Sequence, residues 1–228
     1  MPTVDPATST RPAASRPGPK GPGEPLIAFL RRHRWARRAV SATSVGLLVV
    51  AVALLGYPFY TNLYESRVQT NLRHRLASPE LRQAYESRAL RTGDSLTRIK
   101  IPKIGVDVVV VEGTSASALR AGAGHYPGTP LPCENGNVAI AGHRTTYGRP
   151  FANIDRLATG DLITLETPVR SCTYEVSRDP FVVLADDRSV VTDTPGRANL
   201  TLTSCHPKGS ASHRIVIAAA IKGTTFNA

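Results

Sequence analysis

Three side chains of complementary chemistry stand at the ends of alternating apolar segments in this 228-residue chain. In Asn199-Leu-Thr-Leu-Thr-Ser-Cys205 a strand's alternation sends Leu200 and Leu202 to one face and Thr201, Thr203 and Cys205 to the other. Cys205 thus closes a strand on its polar face, just before a His-Pro-Lys-Gly-Ser loop. In Asn137-Val-Ala-Ile-Ala-Gly-His143, Val138 and Ile140 form the core face, and His143 shares the opposite face with Ala139 and Ala141, small residues that leave room for a ligand. In His213-Arg-Ile-Val-Ile217, Ile215 and Ile217 point inward, so Arg214 lies on the other face with Val216. Eight residues separate Cys205 from Arg214, enough for a loop joining antiparallel neighbours, and thiol, imidazole and guanidinium can then converge at one rim. Such a trio suits acyl transfer. A thiolate attacks a carbonyl, a histidine manages the protons of thiol and leaving amine, and an arginine steadies the oxyanion or grips the substrate backbone.

Taken singly, each residue has an ordinary reading: a lone cysteine as a small buried hydrophobe, a strand-end histidine at the surface, a late arginine as a solvated charge. The other candidates are weaker. His206 adjoins Cys205 but faces the opposite way, which favours a loop role; His125 and His213 read as surface or turn residues; Arg144 points away from His143 and reads as structural. Cys205, His206 and His213 lack a second pair at zinc-ligand spacing, so no metal is implied, and no cofactor either. Cys133 and Cys172 fall in loops, and a disulfide between them would leave Cys205 as the odd thiol.

The elements that must position these residues are short. Runs rich in Val, Ile and Thr, separated by Gly, Pro and Asp, predict strands at 97–101, 106–111, 137–142, 161–167, 173–178, 180–185, 198–205 and 213–221. Short helices are expected at 115–121 and at 151–157, where Phe151, Ile154 and Leu157 share a face. Eight strands in so short a stretch predict a mainly β domain, a closed or nearly closed barrel with helical crossovers. Before it, Tyr64, Val68, Leu72 and Leu76 recur every fourth residue, and Ser78-Pro79-Glu80 signals a helix start continued by Leu81 and Tyr85. Residues 61–91 therefore read as two short helices, broken by Thr92-Gly93-Asp94.

The net charge of +11 invites a nucleic-acid reading, but its distribution argues otherwise. Residues 1–60 carry eight Lys/Arg and two acids, and five of those arginines lie between Arg31 and Arg38. They precede Ala39–Tyr60, 22 residues without a charge, long enough as a helix to cross a hydrocarbon core of roughly 30 Å. Trp35 at one end and Tyr57, Phe59, Tyr60 and Tyr64 at the other sit as interfacial aromatics do. The long polar lead and the absence of a small-residue cleavage site favour an uncleaved anchor over a cleaved signal peptide. The positive-inside rule keeps the N-terminus cytoplasmic and exports the chain beyond residue 60. Topology and anionic lipid headgroups account for the basic patch, and no nucleic-acid-binding signature accompanies it. The expected organisation is a disordered Pro-rich, basic cytoplasmic tail (1–38), a transmembrane anchor (39–60), a helical stalk (61–96) and a catalytic domain (97–228).

The blocks Gly136-Asn-Val-Ala-Ile-Ala-Gly-His143-Arg144, Phe151–Asp161 (FANIDRLATGD) and Leu200-Thr-Leu-Thr-Ser-Cys205, followed by His213-Arg214, resemble those of sortases, membrane-anchored cysteine transpeptidases of Gram-positive bacteria. The opening Ile99-Lys-Ile-Pro-Lys-Ile104 is also similar to the family's first strand, and the likeness covers roughly residues 97–222. The resemblance implies the eight-stranded sortase β-barrel, with Cys205 as nucleophile, His143 as general acid/base and Arg214 as substrate and oxyanion stabiliser. Ser204 stands where many sortases have threonine; it keeps a hydroxyl, so tuned substrate contacts are expected. The runs Gly142-His-Arg-Thr-Thr-Tyr147-Gly and Cys205-His206-Pro207 are similar to those of class E housekeeping sortases of actinobacteria, which prefer Leu-Ala-X-Thr-Gly over Leu-Pro-X-Thr-Gly signals. No Asp-Pro-aromatic lid of the pilin-polymerising class precedes the barrel.

The resemblance thus implies a transpeptidase that cleaves the Thr–Gly bond of a sorting signal through a thioester on Cys205 and passes the acyl group to an amine of a cell-wall precursor. Tyr147, Thr203 and Ser204 are the expected substrate-binding residues. Partners would be exported proteins bearing the signal, a peptidoglycan precursor and the lipid bilayer, with no nucleic acid. A cysteine hydrolase using the same site, and a non-catalytic anchored wall-binding module, are the competing readings.

Overall fold

The computed structural model describes residue 29 and residues 31–226 of the chain. Most of the expected cytoplasmic tail, residues 1–28, lies outside the described residues. The chain divides into two units, Met1–Ala53 and Leu54–Ala228.

The apolar segment belongs to helix α1, Arg34–Leu76. Its most apolar 18-residue window has a mean hydropathy of 2.2 and none of it is buried within the protein, so this is one helix long and apolar enough to cross a membrane rather than a core helix. Thr43 returns its hydroxyl to the Ala39 carbonyl, which satisfies that donor within the helix. Toward its C-terminal end, α1 does what the spacing-of-four stripe requires. Leu72 is buried, and Val68 and Leu76 pack beside it on Val109, Val111 and Ala118. Gln69 acts as a surrogate strand edge: its Nε2 donates to the carbonyls of Val109 (3.0 Å) and Ala121 (2.7 Å), and its Oε1 accepts from Val109 N (2.6 Å). The first of the two short helices expected over 61–91 is therefore the end of one long helix. The second is α2, Pro79–Glu86, with Pro79 opening the first turn and Ser78 capping it by accepting from Leu81 N. Leu81 and Tyr85 face inward, and Tyr85 donates to the Pro132 carbonyl at 3.1 Å.

Among the described residues nine strands follow, with short helical segments between them: β1 Ser95–Ile101, β2 Val106–Glu112, β3 Ala123–His125, β4 Gly136–Gly142, β5 Leu162–Glu166, β6 Arg170–Val176, β7 Phe181–Leu184, β8 Ala198–His206 and β9 His213–Phe226. Their order is β6-β5-β1-β2-β3-β4-β8-β9-β7, and β6 also pairs with β9. That last pairing closes an eight-stranded barrel and leaves β7 outside the ring, on the flank of β9. The expected closed barrel of eight strands is present, but its membership differs by one. The expected strand at 180–185 is the flanking β7, and the ring is completed by β3, which the sequence pattern does not reveal. β3 is three residues long, Ala-Gly-His, with nothing β-branched to mark it; it pairs parallel to β2 after a crossover through α3, Ala116–Ala121. The helix expected at 151–157 is a turn and a 3-10 helix, Ile154–Arg156, yet Phe151, Ile154 and Leu157 do share a buried face.

The barrel core gathers Ile99, Ile101, Val138, Ile140, Leu200, Leu202, Ile215 and Ile217, so the strand parities on which the catalytic reading depends hold in β4, β8 and β9. Two residues expected elsewhere are internal. His125 is not a surface residue: it sits on β3, 1% exposed, with Nδ1 2.7 Å from Glu112 Oε2 and Nε2 2.8 Å from Thr129 Oγ1. Cys172 lies on β6 rather than in a loop, and its disulfide to Cys133 spans a Cα–Cα distance of 5.6 Å. Cys205 is left as the free thiol.

Candidate active site

β8 is the middle of three adjacent strands. On one side it runs parallel to β4, with Ala139 beside Thr201 and Ala141 beside Thr203. Two positions further along the two chains stand His143, just past the end of β4, and Cys205. On the other side β8 runs antiparallel to β9, and the register sets Cys205 opposite Arg214 and His206 opposite His213. Thiol, imidazole and guanidinium are thereby brought to one rim of the barrel, each from a different strand end.

Cys205, His143 and Arg214 are all half-buried. Burial holds the His143 imidazole below its ordinary value of 6.5, so at neutral pH the ring is uncharged and can accept the thiol proton. Removing the thiol isolates this effect. In a Cys205→Ala protein the His143 ring followed by NMR should titrate with a midpoint below 6.5; a midpoint at or above that value would contradict the burial argument. Because the unfolded imidazole takes its proton first as pH falls, His143 should also remove stability as pH drops from about 6.5 through its folded midpoint. Arg214 Nη1 donates to the carbonyls of Ala211 and His213, each at 3.0 Å, leaving Nε and Nη2 to donate elsewhere.

Tyr147 stands with its ring centroid 5.6 Å from that of His143, and its hydroxyl lies 3.4 Å from the Tyr57 hydroxyl. It begins three successive left-handed residues, Tyr147 (φ 48°), Gly148 (φ 69°) and Arg149 (φ 48°), a conformation that stores strain in the loop after His143. Glu65 of α1 lies against Gly148 so closely that a Cβ there would stand 2.5 Å from its carboxyl carbon. Thr203 is buried, its hydroxyl 3.0 Å from that of Tyr126; Ser204 is also buried and donates its hydroxyl to the Gly142 carbonyl at 2.7 Å.

Phe151, fully buried, occupies the place of the missing Gly142 side chain, where a Cβ would come within 2.5 Å of its ring. Gly142→Ala must therefore displace Phe151 or the strand end, with an expected loss of about 1–3 kcal/mol and a slower acylation because His143 is the next residue. An unchanged Tm would contradict this reading.

One residue of the site is not evident from the sequence. Arg144 is 4% exposed, and its guanidinium reaches the Cys205 carbonyl (3.3 Å), His206 Nδ1 (3.0 Å) and Asp155 (2.9 Å). It lies two residues past Gly142, where β4 ends, and its contacts run across to β8 rather than along its own strand. Its position directly after His143 was the one available signal.

Comparison with known proteins agrees with this geometry. The sortase domain family matches residues 99–222. Sortase D of Bacillus subtilis is 36% identical over 129 residues, covering 55% of this chain and 63% of its own length. Sortase SrtE1 of Streptomyces coelicolor is 27% identical over 212 residues, covering 80% of this chain and 60% of its own. The chain thus spans under two thirds of these two curated relatives. Among solved structures, a sortase D5 transpeptidase of Clostridium perfringens superposes with a TM-score of 0.61 at 30% identity, over 70% of this chain and 98% of that one. Sortase E of Streptomyces avermitilis does so at 0.55 and 32%, over 60% and 93%. A barrel of this topology, with a free cysteine between a histidine and an arginine at its rim and a family match over more than half its length, makes the chain a member of the sortase family.

Proposed function

We propose that the protein is a membrane-anchored transpeptidase. Cys205 attacks the Thr–Gly carbonyl of a sorting signal, and His143 takes the thiol proton and returns it to the departing glycine amine. Arg214 stabilises the oxyanion or grips the peptide backbone. An amine of a cell-wall precursor then attacks the thioester and releases the joined product with the thiol restored. The observation that carries this reading is the strand register, which sets the one free cysteine opposite Arg214 and next to the strand that ends at His143. Tyr147 is the side chain that meets the signal near its second position. Thr203 and Ser204, both engaged inside the protein, act on substrate through the placement of Tyr126 and Gly142.

The apolar, unburied helix and the Cys133–Cys172 disulfide support a protein held in the membrane with its barrel in an oxidising, extracytoplasmic space. Holding enzyme and both substrates at one surface replaces diffusional encounter. We place the chain with class E enzymes and expect Leu-Ala-X-Thr-Gly to be preferred over Leu-Pro-X-Thr-Gly. The test incubates the full chain in detergent with each peptide and an added amine. Faster ligation of the alanine peptide is the expected result. Preference for proline would remove the class assignment, and cleavage without ligation would make the protein a hydrolase.

A further inference from the structure

The residues on either side of the imidazole bind the residues on either side of the thiol. Gly142, before His143, accepts the Ser204 hydroxyl at 2.7 Å, and Ser204 precedes Cys205. Arg144, after His143, gives the two N–H groups of its Nη1 to the Cys205 carbonyl at 3.3 Å and to His206 Nδ1 at 3.0 Å. Arg144 is itself aimed by Asp155, at 2.9 Å from Nη2. The two contacts form rungs above and below the His143–Cys205 pair, where the regular β4–β8 ladder has ended at Ala141 and Thr203.

We infer that Arg144, Ser204 and His206 are positioning residues that hold the nucleophile and its proton acceptor in register, and that His206 serves as a hydrogen-bond acceptor rather than as an acid or base. Three observations support this. Regular β4–β8 pairing stops short of both reactive residues, so something else must set their separation across those two strands. Arg144 is 4% exposed, and its Nε is buried with no partner among the described residues. An apolar side chain would avoid that desolvation, so the arginine has to be explained by what its Nη atoms hold. Finally, a guanidinium only donates, so the His206 Nδ1 that faces it must be unprotonated, which fixes the tautomer with hydrogen on Nε2.

This inference rests on the acyl-transfer reading, and the test separates the two. The full chain in detergent is assayed with a sorting-signal peptide at several concentrations for thioester formation and, separately, for thermal unfolding. Arg144→Met should slow acylation by about 100-fold, the loss expected of a displacement of about 1 Å, with the peptide KM within about threefold of wild type. A purely structural role would lower Tm without separating the acylation rate from KM in the folded protein. His206 supplies the second arm, independent of whether Arg144→Met folds. Asn places an acceptor oxygen where Nδ1 stands, so His206→Asn should retain acylation within about threefold, while His206→Leu should fall at least about tenfold. Equal losses in His206→Asn and His206→Leu, or acylation by Arg144→Met within twofold of wild type, would overturn the inference. A wild-type protein that forms no thioester would instead overturn the acyl-transfer reading itself.

Discussion

Cys205→Ala is expected to reduce peptide cleavage and ligation by at least about 10³-fold while leaving the barrel folded. The magnitude comes from the chemistry: without the thiol there is no covalent intermediate, and neither His143 nor Arg214 supplies a nucleophile. The structural half of the prediction comes from placement. Cys205 is half-buried at the end of β8, outside the apolar core built from Leu200 and Leu202, so trimming it to alanine should change stability by no more than about 1 kcal/mol. Activity assays and near-ultraviolet circular dichroism on the same preparation test both halves. Turnover that survives the substitution would remove Cys205 from the mechanism. Lost turnover with lost tertiary signal would show that the residue's weight is in folding.

Removing the disulfide should produce the largest change in stability. The Cys133–Cys172 link closes a separation of 39 residues that contains β4, His143 and β5, and in the chain-entropy account such a closure is worth about 4 kcal/mol at 25 °C. For a barrel of this size, the double variant Cys133→Ala/Cys172→Ala should melt about 10–15 °C lower. Substituting both residues avoids leaving an unpaired thiol in the core, where Cys172 is 1% exposed. The loop has other ties, since Cys133 N donates to the Tyr174 hydroxyl at 3.1 Å, and burial pushes that phenol up to about 12. The bond itself is checked by counting thiols in denaturant, with one expected before reduction and three after. A melting temperature unchanged in the double variant would show that the cross-link adds little to the folded barrel.

The faces of the site strands were legible in the sequence because a two-residue period leaves no freedom once one face is apolar. Val138 with Ile140, Leu200 with Leu202, and Ile215 with Ile217 each fix the side on which His143, Cys205 and Arg214 must emerge. What lacked a periodic signal was not legible. β3 is too short and too poor in branched residues to announce itself, and without it β7 takes a place in the expected ring. His125 looks like a turn residue because its partners, Glu112 and Thr129, are recruited by tertiary structure. Arg144 can be read only as pointing away from His143. No local pattern shows that a side chain beyond a strand end folds back across to the neighbouring strand and takes hold of the Cys205 carbonyl. Nor does any local pattern show that the core face at Gly142 is filled by Phe151, nine residues further on.

The central claim is that Cys205 carries the acyl group. It is tested most directly by intact-protein mass spectrometry of the full chain in detergent, mixed with a sorting-signal peptide and quenched in acid before any amine is added. The account predicts a mass increase equal to the peptide acyl fragment ending in threonine. The adduct should map to Cys205, disappear on addition of an amine acceptor, and be absent from Cys205→Ala. No adduct on a folded protein, or an adduct on any other residue, would contradict it.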